Sequence, residues 1–169
     1  MGILSGNQSN EPMHYGEVFA VWSADLSAKA LTACYQTMLN HAGDEDLRRL
    51  VEEAIQLGKK ESQAYEQILK ENGVGLAPTP PDRPQANIED IPAGARFQDP
   101  EIAAAISRDI AAGMTMASQA ASQCTREDIA AVFLQSHQQQ AALGGQFLKL
   151  NKEKGWIVVP PLNRELVEA

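Results

Sequence analysis

The chain has 169 residues, 44% hydrophobic and 21% charged, which is the composition of one globular domain large enough to bury a core. Its 14 Lys and Arg against 22 Asp and Glu leave a net charge of −8, and only nine residues are aromatic. Nucleic acid and anionic membranes demand clustered cations, and single strands demand stacking platforms, so both partner classes are argued against. Two cysteines cannot make a disulfide framework, and residues 1–13 lack an apolar leader core. The longest strictly apolar run, Ile129–Leu134, is far too short to insert in a bilayer. An intracellular location is expected.

Residues 1–13, with Gly2, Gly6, Asn7, Ser9 and Asn10, read as a flexible N-terminal segment. A proline-free stretch follows, with Val18, Trp22, Leu26, Ala30, Ala33 and Leu39 at helical spacing, predicting a helix over about 14–42. Gly43 is its expected stop and Asp44 the next N-cap. The second helix, about 44–72, carries Leu47, Leu50, Val51, Ala54, Leu57, Glu61, Tyr65 and Ile68 on one stripe and ends at Gly73. Pro78, Pro80, Pro81, Pro84 and Pro92 make 74–98 an extended crossover. Asp99-Pro100-Glu101 reads as an N-cap, a proline at the first helical position and an acid in the first turn, opening an Ala-rich helix over 99–123. Thr125 to Asp128 has the form of a capping box with Asp in the last position. It opens a fourth helix over about 126–154, stopped by Gly155, and a tail over 155–169 follows.

An internal repeat organises these elements. At an offset of 82 residues Glu45 meets Glu127, Asp46 meets Asp128, Gly73 meets Gly155 and Pro78 meets Pro160, while Leu47/Ile129, Val51/Phe133 and Tyr65/Phe147 keep the apolar stripe. The expected architecture is all-α: a single-domain four-helix bundle over 14–169, built from two pseudo-symmetric helical hairpins. A 25-residue connector reaches roughly 80 Å when extended, enough to cross a bundle of helices roughly 43 Å long.

Two hairpins joined by a long crossover is the ferritin-like topology. Glu17-Val18-Phe19-Ala20-Val21-Trp22, Gly43–Leu47, Asp90-Ile91-Pro92 with Phe97, Arg126-Glu127-Asp128-Ile129 and Lys154-Gly155-Trp156-Ile157-Val158-Val159-Pro160-Pro161 extend the likeness. From His14 to Leu162 the chain resembles a little-characterised family of ferritin-like bundle proteins of spore-forming bacteria, described as candidate spore coat proteins. The resemblance implies a sporulation context, in the bacterial cytoplasm or the spore coat, with other spore coat proteins or a second copy as partners. It brings no catalytic residue.

The residues themselves fail the test for a di-metal carboxylate enzyme. That site needs a Glu-x-x-His on each of two helices, and here Ile55, Gln56 and Ala64 follow Glu52, Glu53 and Glu61 at that spacing, while Leu134 precedes His137. No nucleophile elbow or phosphate loop is present. Glu61 nevertheless lies in an apolar stripe, opposite Leu143 in the repeat. Asp25, Asp109, His137 and Gln140 lie in or beside theirs. The metal candidates are therefore Glu61, Asp25, Asp109 and His137; the commoner arrangement is a polar core layer containing Glu61 and Gln140. On that reading Glu61→Gln costs about 1–3 kcal/mol. His14 and His41 are expected at helix ends, the latter as a favourable charge. Cys34 and Cys124 are expected as small buried side chains. Trp156 to Val159 form an apolar strip that a homodimer would cover. The combined expectation is a non-enzymatic structural or interaction protein without a cofactor. The alternatives are a ferritin-like metal binder with a degenerate ligand set, and a small-molecule binder where Ala112, Gly113, Gly144 and Gly145 leave room between hairpins.

Overall fold

The structure, a computed structural model, describes residues 11–161. The expected flexibility of 1–10 and the last part of the tail, 162–169, lie outside the described residues. Four helices carry the fold: α1 (Tyr15–His41), α2 (Glu45–Glu71), α3 (Asp99–Gln123) and α4 (Glu127–Glu153). Between α2 and α3 the chain makes only two single 3-10 turns, Ile88–Asp90 and Ala93–Ala95. No strand occurs among the described residues. α1 packs on α2 and α3 on α4, and the two hairpins meet more through α2 and α4 than through α1 and α3.

The 82-residue repeat holds in three dimensions. α2 and α4 begin and end at equivalent residues. Gly73 and Gly155 both take φ +69°, a conformation that a Cβ penalises, and each closes its helix in the same way. Val74 N–H donates to Leu69 O and Trp156 N–H to Asn151 O, both at 2.9 Å. Val74 then packs on one end of the core and Trp156 on the other.

Asp44 is the N-cap of α2 as expected, its Oδ1 accepting from Asp46 and Leu47 N–H at 2.9 and 3.0 Å, while the starts of α3 and α4 depart from the local cap rules for one reason. His14 is the N-cap of α1, its Nδ1 accepting from Gly16 and Glu17 N–H at 3.0 and 3.3 Å. Glu17, 1% exposed, returns Oε2 to His14 N–H at 3.1 Å. Its Oε1 reaches the other hairpin, accepting from Thr125 N–H at 2.7 Å and Arg126 N–H at 2.9 Å. Arg126, not Thr125, is therefore the N-cap of α4, and no capping box forms at Thr125. Asp99 plays the same part at the opposite end. Gln98 is the N-cap of α3, and Asp99 accepts from Gly43 N–H at 2.8 Å and Asp44 N–H at 3.1 Å. Glu17 and Asp99, Thr125 and Gly43, and Arg126 and Asp44 are all repeat mates. Gly43 is not itself the stop of α1, which ends at Ala42 in an extended conformation.

The same symmetry joins the α2 and α4 ends. Lys154 Nζ donates to Asp44 Oδ2 at 2.6 Å, and the equivalent pair is Arg126 to Asn72 Oδ1 at 2.8 Å. Arg126 also forks onto Asp128 and reaches Glu11 O, which with Met13 fastens 11–13 to the bundle.

The crossover runs along the outside of α1. Lys29 Nζ donates to Ala77 O at 2.8 Å; Gln36 exchanges bonds with Asp82 and Arg83, and Asn40 with Pro84 and Ala86. His41 lies in the last turn of α1, as expected, and its Nδ1 accepts from Phe97 N–H at 3.1 Å, so it also anchors the crossover end.

Of the expected α1 stripe, Ala33 is buried and Val18, Trp22 and Leu39 are half-buried, while Leu26 and Ala30 lie at the surface. Val21, Ala28, Thr32, Tyr35 and Met38 are buried together with the ion pair Asp25–Lys29, while Phe19 is 71% exposed. The inward face of α1 mixes apolar residues with the charged Asp25 and Lys29, which hydrophobicity alone does not mark. Cys34 is exposed, contrary to expectation. Cys124 is half-buried, and burial pushes its thiol up to about 11.

Burial raises the Glu17 carboxyl pKa, but the backbone N–H groups of Arg126, His14 and Thr125 outweigh it and hold the group below its usual value. Such a group adds stability that is complete above the unfolded carboxyl range and lost as pH falls through the folded value. We expect Glu17→Gln to lower the unfolding free energy in urea by about 2 kcal/mol at neutral pH. The substitution should also flatten the acid limb of the stability profile.

Candidate functional site

Two core clusters lie at the two ends of the bundle. One gathers Leu47, Val51, Ile102, Ile106 and Phe147; the other gathers Val21, Leu69, Ile129 and Phe133. Between them a cleft of about 600 Å³ opens between α1 and α3. Ala20, Ser23, Ala24, Ser27 and Ala28 on α1 and Ala112, Gly113, Ala117 and Ala120 on α3 leave this room. Ala112 and Gly113 therefore stand where the sequence expects space. Gly144 instead faces Ile110 at close range, and Gly145 meets nothing nearby.

The floor is polar. Glu61 Oε1 accepts a short hydrogen bond from Ser136 Oγ and one from Gln140 Nε2 at 2.9 Å, and Gln140 Nε2 also donates to Ser136 at 3.1 Å. Gln140 reaches this position because Gly113 faces it: a Cβ at 113 would stand 2.2 Å from Gln140 Oε1. Burial raises the Glu61 carboxyl, and the bonds from Ser136 and Gln140 only partly oppose this. Tyr65, on the same floor, is pushed up to about 12 by burial and stays a neutral hydroxyl. Thr32 Oγ1 is the one buried side-chain N or O without a hydrogen-bond partner among the described residues.

The other expected site residues are dispersed. Asp109 lies at the cleft edge, 3.5 Å from Tyr35 OH and 3.3 Å from Arg108 Nη2. Asp25 is fully buried outside the cleft lining, bonded to Lys29 at 2.8 Å and Ser62 at 2.7 Å. Lys29 continues to Glu66 at 2.8 Å, tying α1, α2 and the crossover together. His137 is half-buried on α4, outside the cleft lining. Among the described residues no group of three or more His, Cys, Asp or Glu could hold a metal ion. Sequence reasoning missed Ser136, Thr32, Lys29 and Glu17. The i, i+4 spacing of Asp25 and Lys29 and the pairing of Ser136 with buried Ala54 in the repeat were available signals; the unpaired Thr32 hydroxyl left none.

A family model described as "Protein of unknown function (DUF3231)" matches residues 1–165. The uncharacterized protein YvdQ of Bacillus subtilis is 48% identical over 163 residues, 96% of each chain. The crystal structure of a candidate spore coat protein of Bacillus halodurans is 50% identical, with a TM-score of 0.92 over 94% of this chain and 100% of that one. A conserved hypothetical protein of Mycobacterium tuberculosis shares the fold alone, at 11% identity and a TM-score of 0.67 over 88% of this chain and 97% of that one.

The cleft floor yields two stability outcomes. Glu61→Gln keeps an acceptor for Ser136 and Gln140 and removes a desolvated charge, so it should leave unfolding free energy within about 1 kcal/mol of the native chain. That replaces the cost expected from the sequence, because only one carboxylate oxygen is bonded. Gly113→Ala should displace the Gln140 amide and cost about 1–2 kcal/mol. On a Gln140→Ala background the same change should be neutral or stabilising, as a double-mutant cycle in urea would read.

Proposed function

This chain belongs to the DUF3231 family, and from that premise we propose a non-enzymatic structural or interaction role in the spore coat. Its partners on this reading are other coat proteins or a second copy of the chain. The observation that carries the reading is the end-to-end likeness to the Bacillus halodurans candidate coat protein, at half-identical sequence and near-identical backbone path. The geometry supports it. Ser136, Gln140, Asp25, Lys29 and Glu17 are bonded to one another or to backbone, in arrangements that fix helices against one another. No helix among the described residues is long and apolar enough to cross a membrane. Tyr15 at 94%, Phe19 at 71% and Val158 at 91% exposure offer apolar surface for association, whereas Trp156 is half-buried on its own core.

A fluorescent fusion expressed from the native promoter should appear on sporulation and gather around the developing spore, and the protein should be extracted with the coat fraction. A signal that stays diffuse in the mother cell until spore release would overturn the coat assignment. A chelator should leave the melting temperature of the purified chain unchanged; metal-dependent stabilisation that Glu61→Gln abolishes would favour a metal-binding protein instead.

A further inference from the structure

We propose that the cleft between α1 and α3 is a binding site for an amphipathic amine, its ammonium group on Glu61 and Thr32 and its apolar body between the two hairpins. The inference is independent of where the protein acts.

The charge argument comes first. A carboxylate within apolar walls calls for a cation or for protonation. Glu61 has only the neutral partners Ser136 and Gln140, both on Oε1. No Lys, Arg or His among the described residues lines the cleft, and Lys29 pairs with Asp25 and Glu66 and Arg108 with Asp109. Oε2 has no hydrogen-bond partner among the described residues, on a side chain that lines the cleft.

A second, independent group points the same way. Thr32 is 8% exposed and lines the cleft; its Oγ1 is unpartnered and has no accessible surface, so it meets a ligand only by turning about χ1, for which a helical threonine has two staggered positions. It lies against Gly58, where a Cβ would sit 2.5 Å from the hydroxyl. Gly58 is one turn before Glu61 on α2, so the hydroxyl and the carboxylate share one turn of the floor, roughly 5 Å of helix axis. Two glycines therefore admit polar groups to the floor: Gly58 beside Thr32 and Gly113 beside Gln140. An ammonium brings three donors to these acceptors, whereas an anion would meet both Glu61 and Asp109.

The walls select the rest of the molecule. Leu31, Leu57, Ile110, Phe133 and Leu143 are apolar, and Tyr35 and Tyr65 also line the cleft. About 600 Å³ is the usual size of a small-molecule site. The mouth lies beside Phe19 and Met116, both exposed.

The test titrates the full chain with octylammonium, octanol and octanoate, which share one apolar chain and differ in head group, read by calorimetry and melting temperature. Octylammonium should bind about tenfold or more tightly than octanol, and octanoate most weakly. Glu61→Gln should bring octylammonium down to the affinity of octanol and leave octanol unchanged. Thr32→Val should weaken octylammonium alone, and it serves as the test if Glu61→Gln fails to fold. Ala112→Phe, at an exposed lining position, should weaken the ammonium and the alcohol alike. The proposal is overturned by equal binding of ammonium and alcohol to the native chain, by preference for octanoate, by no binding of any probe, or by undiminished octylammonium affinity in both Glu61→Gln and Thr32→Val.

Discussion

Glu17 stands where two helices begin, and one buried carboxylate answers both. The first N–H groups of any helix lack partners within it, and burying them without acceptors is costly. Glu17 closes α1 with one oxygen and α4 with the other, so the start of the first hairpin is also the turn of the second. Asp99 does the reciprocal service for the turn between α1 and α2. Each hairpin is thus capped by a side chain from its neighbour. Neither turn is complete until the hairpins dock, which sets their longitudinal register before any core side chain is considered.

Within that frame the core is divided. Large side chains fill both ends, while the waist holds alanine, glycine and serine around a carboxylate. The repeat shows how the division arises. Glu61 and Leu143 are equivalent, as are Ser136 and Ala54, so each polar member of the layer has an apolar mate in the other hairpin. Pseudo-symmetry of the backbone is kept and symmetry of the filling is broken, which places a polar group where an exact repeat would have a sealed core.

Helix extents were legible because glycines, prolines and stripe spacing act locally: α2 and α4 fall within a residue or so of their expected bounds. Glu61 with Gln140 was legible because a charge in an apolar stripe opposite Leu143 can only face inward. α3 spans its expected bounds, but the cap roles of Asp99 and Thr125 were misread because their partners lie 56 and 108 residues away, beyond any local cap rule. Part of the α1 stripe was misread for a related reason. Its inward side includes Asp25 and Lys29, which are buried only because each has the other, Ser62, Glu66 and Ala77 O to bond.

The crossover bears on how the chain folds. Each hairpin joins helices close in sequence, so both can form from local contacts, and the non-local step is their docking. For a flexible connector the closure entropy grows with the logarithm of its length, reaching about 3 kcal/mol for 25 residues. Five prolines narrow the conformations open to this connector before folding, and every described peptide bond in it is trans. The unfolded segment is already biased towards the extended path that Gln36 and Asn40 later fasten along α1. Much of the ordering that a long loop would demand at docking is therefore built into the covalent chain.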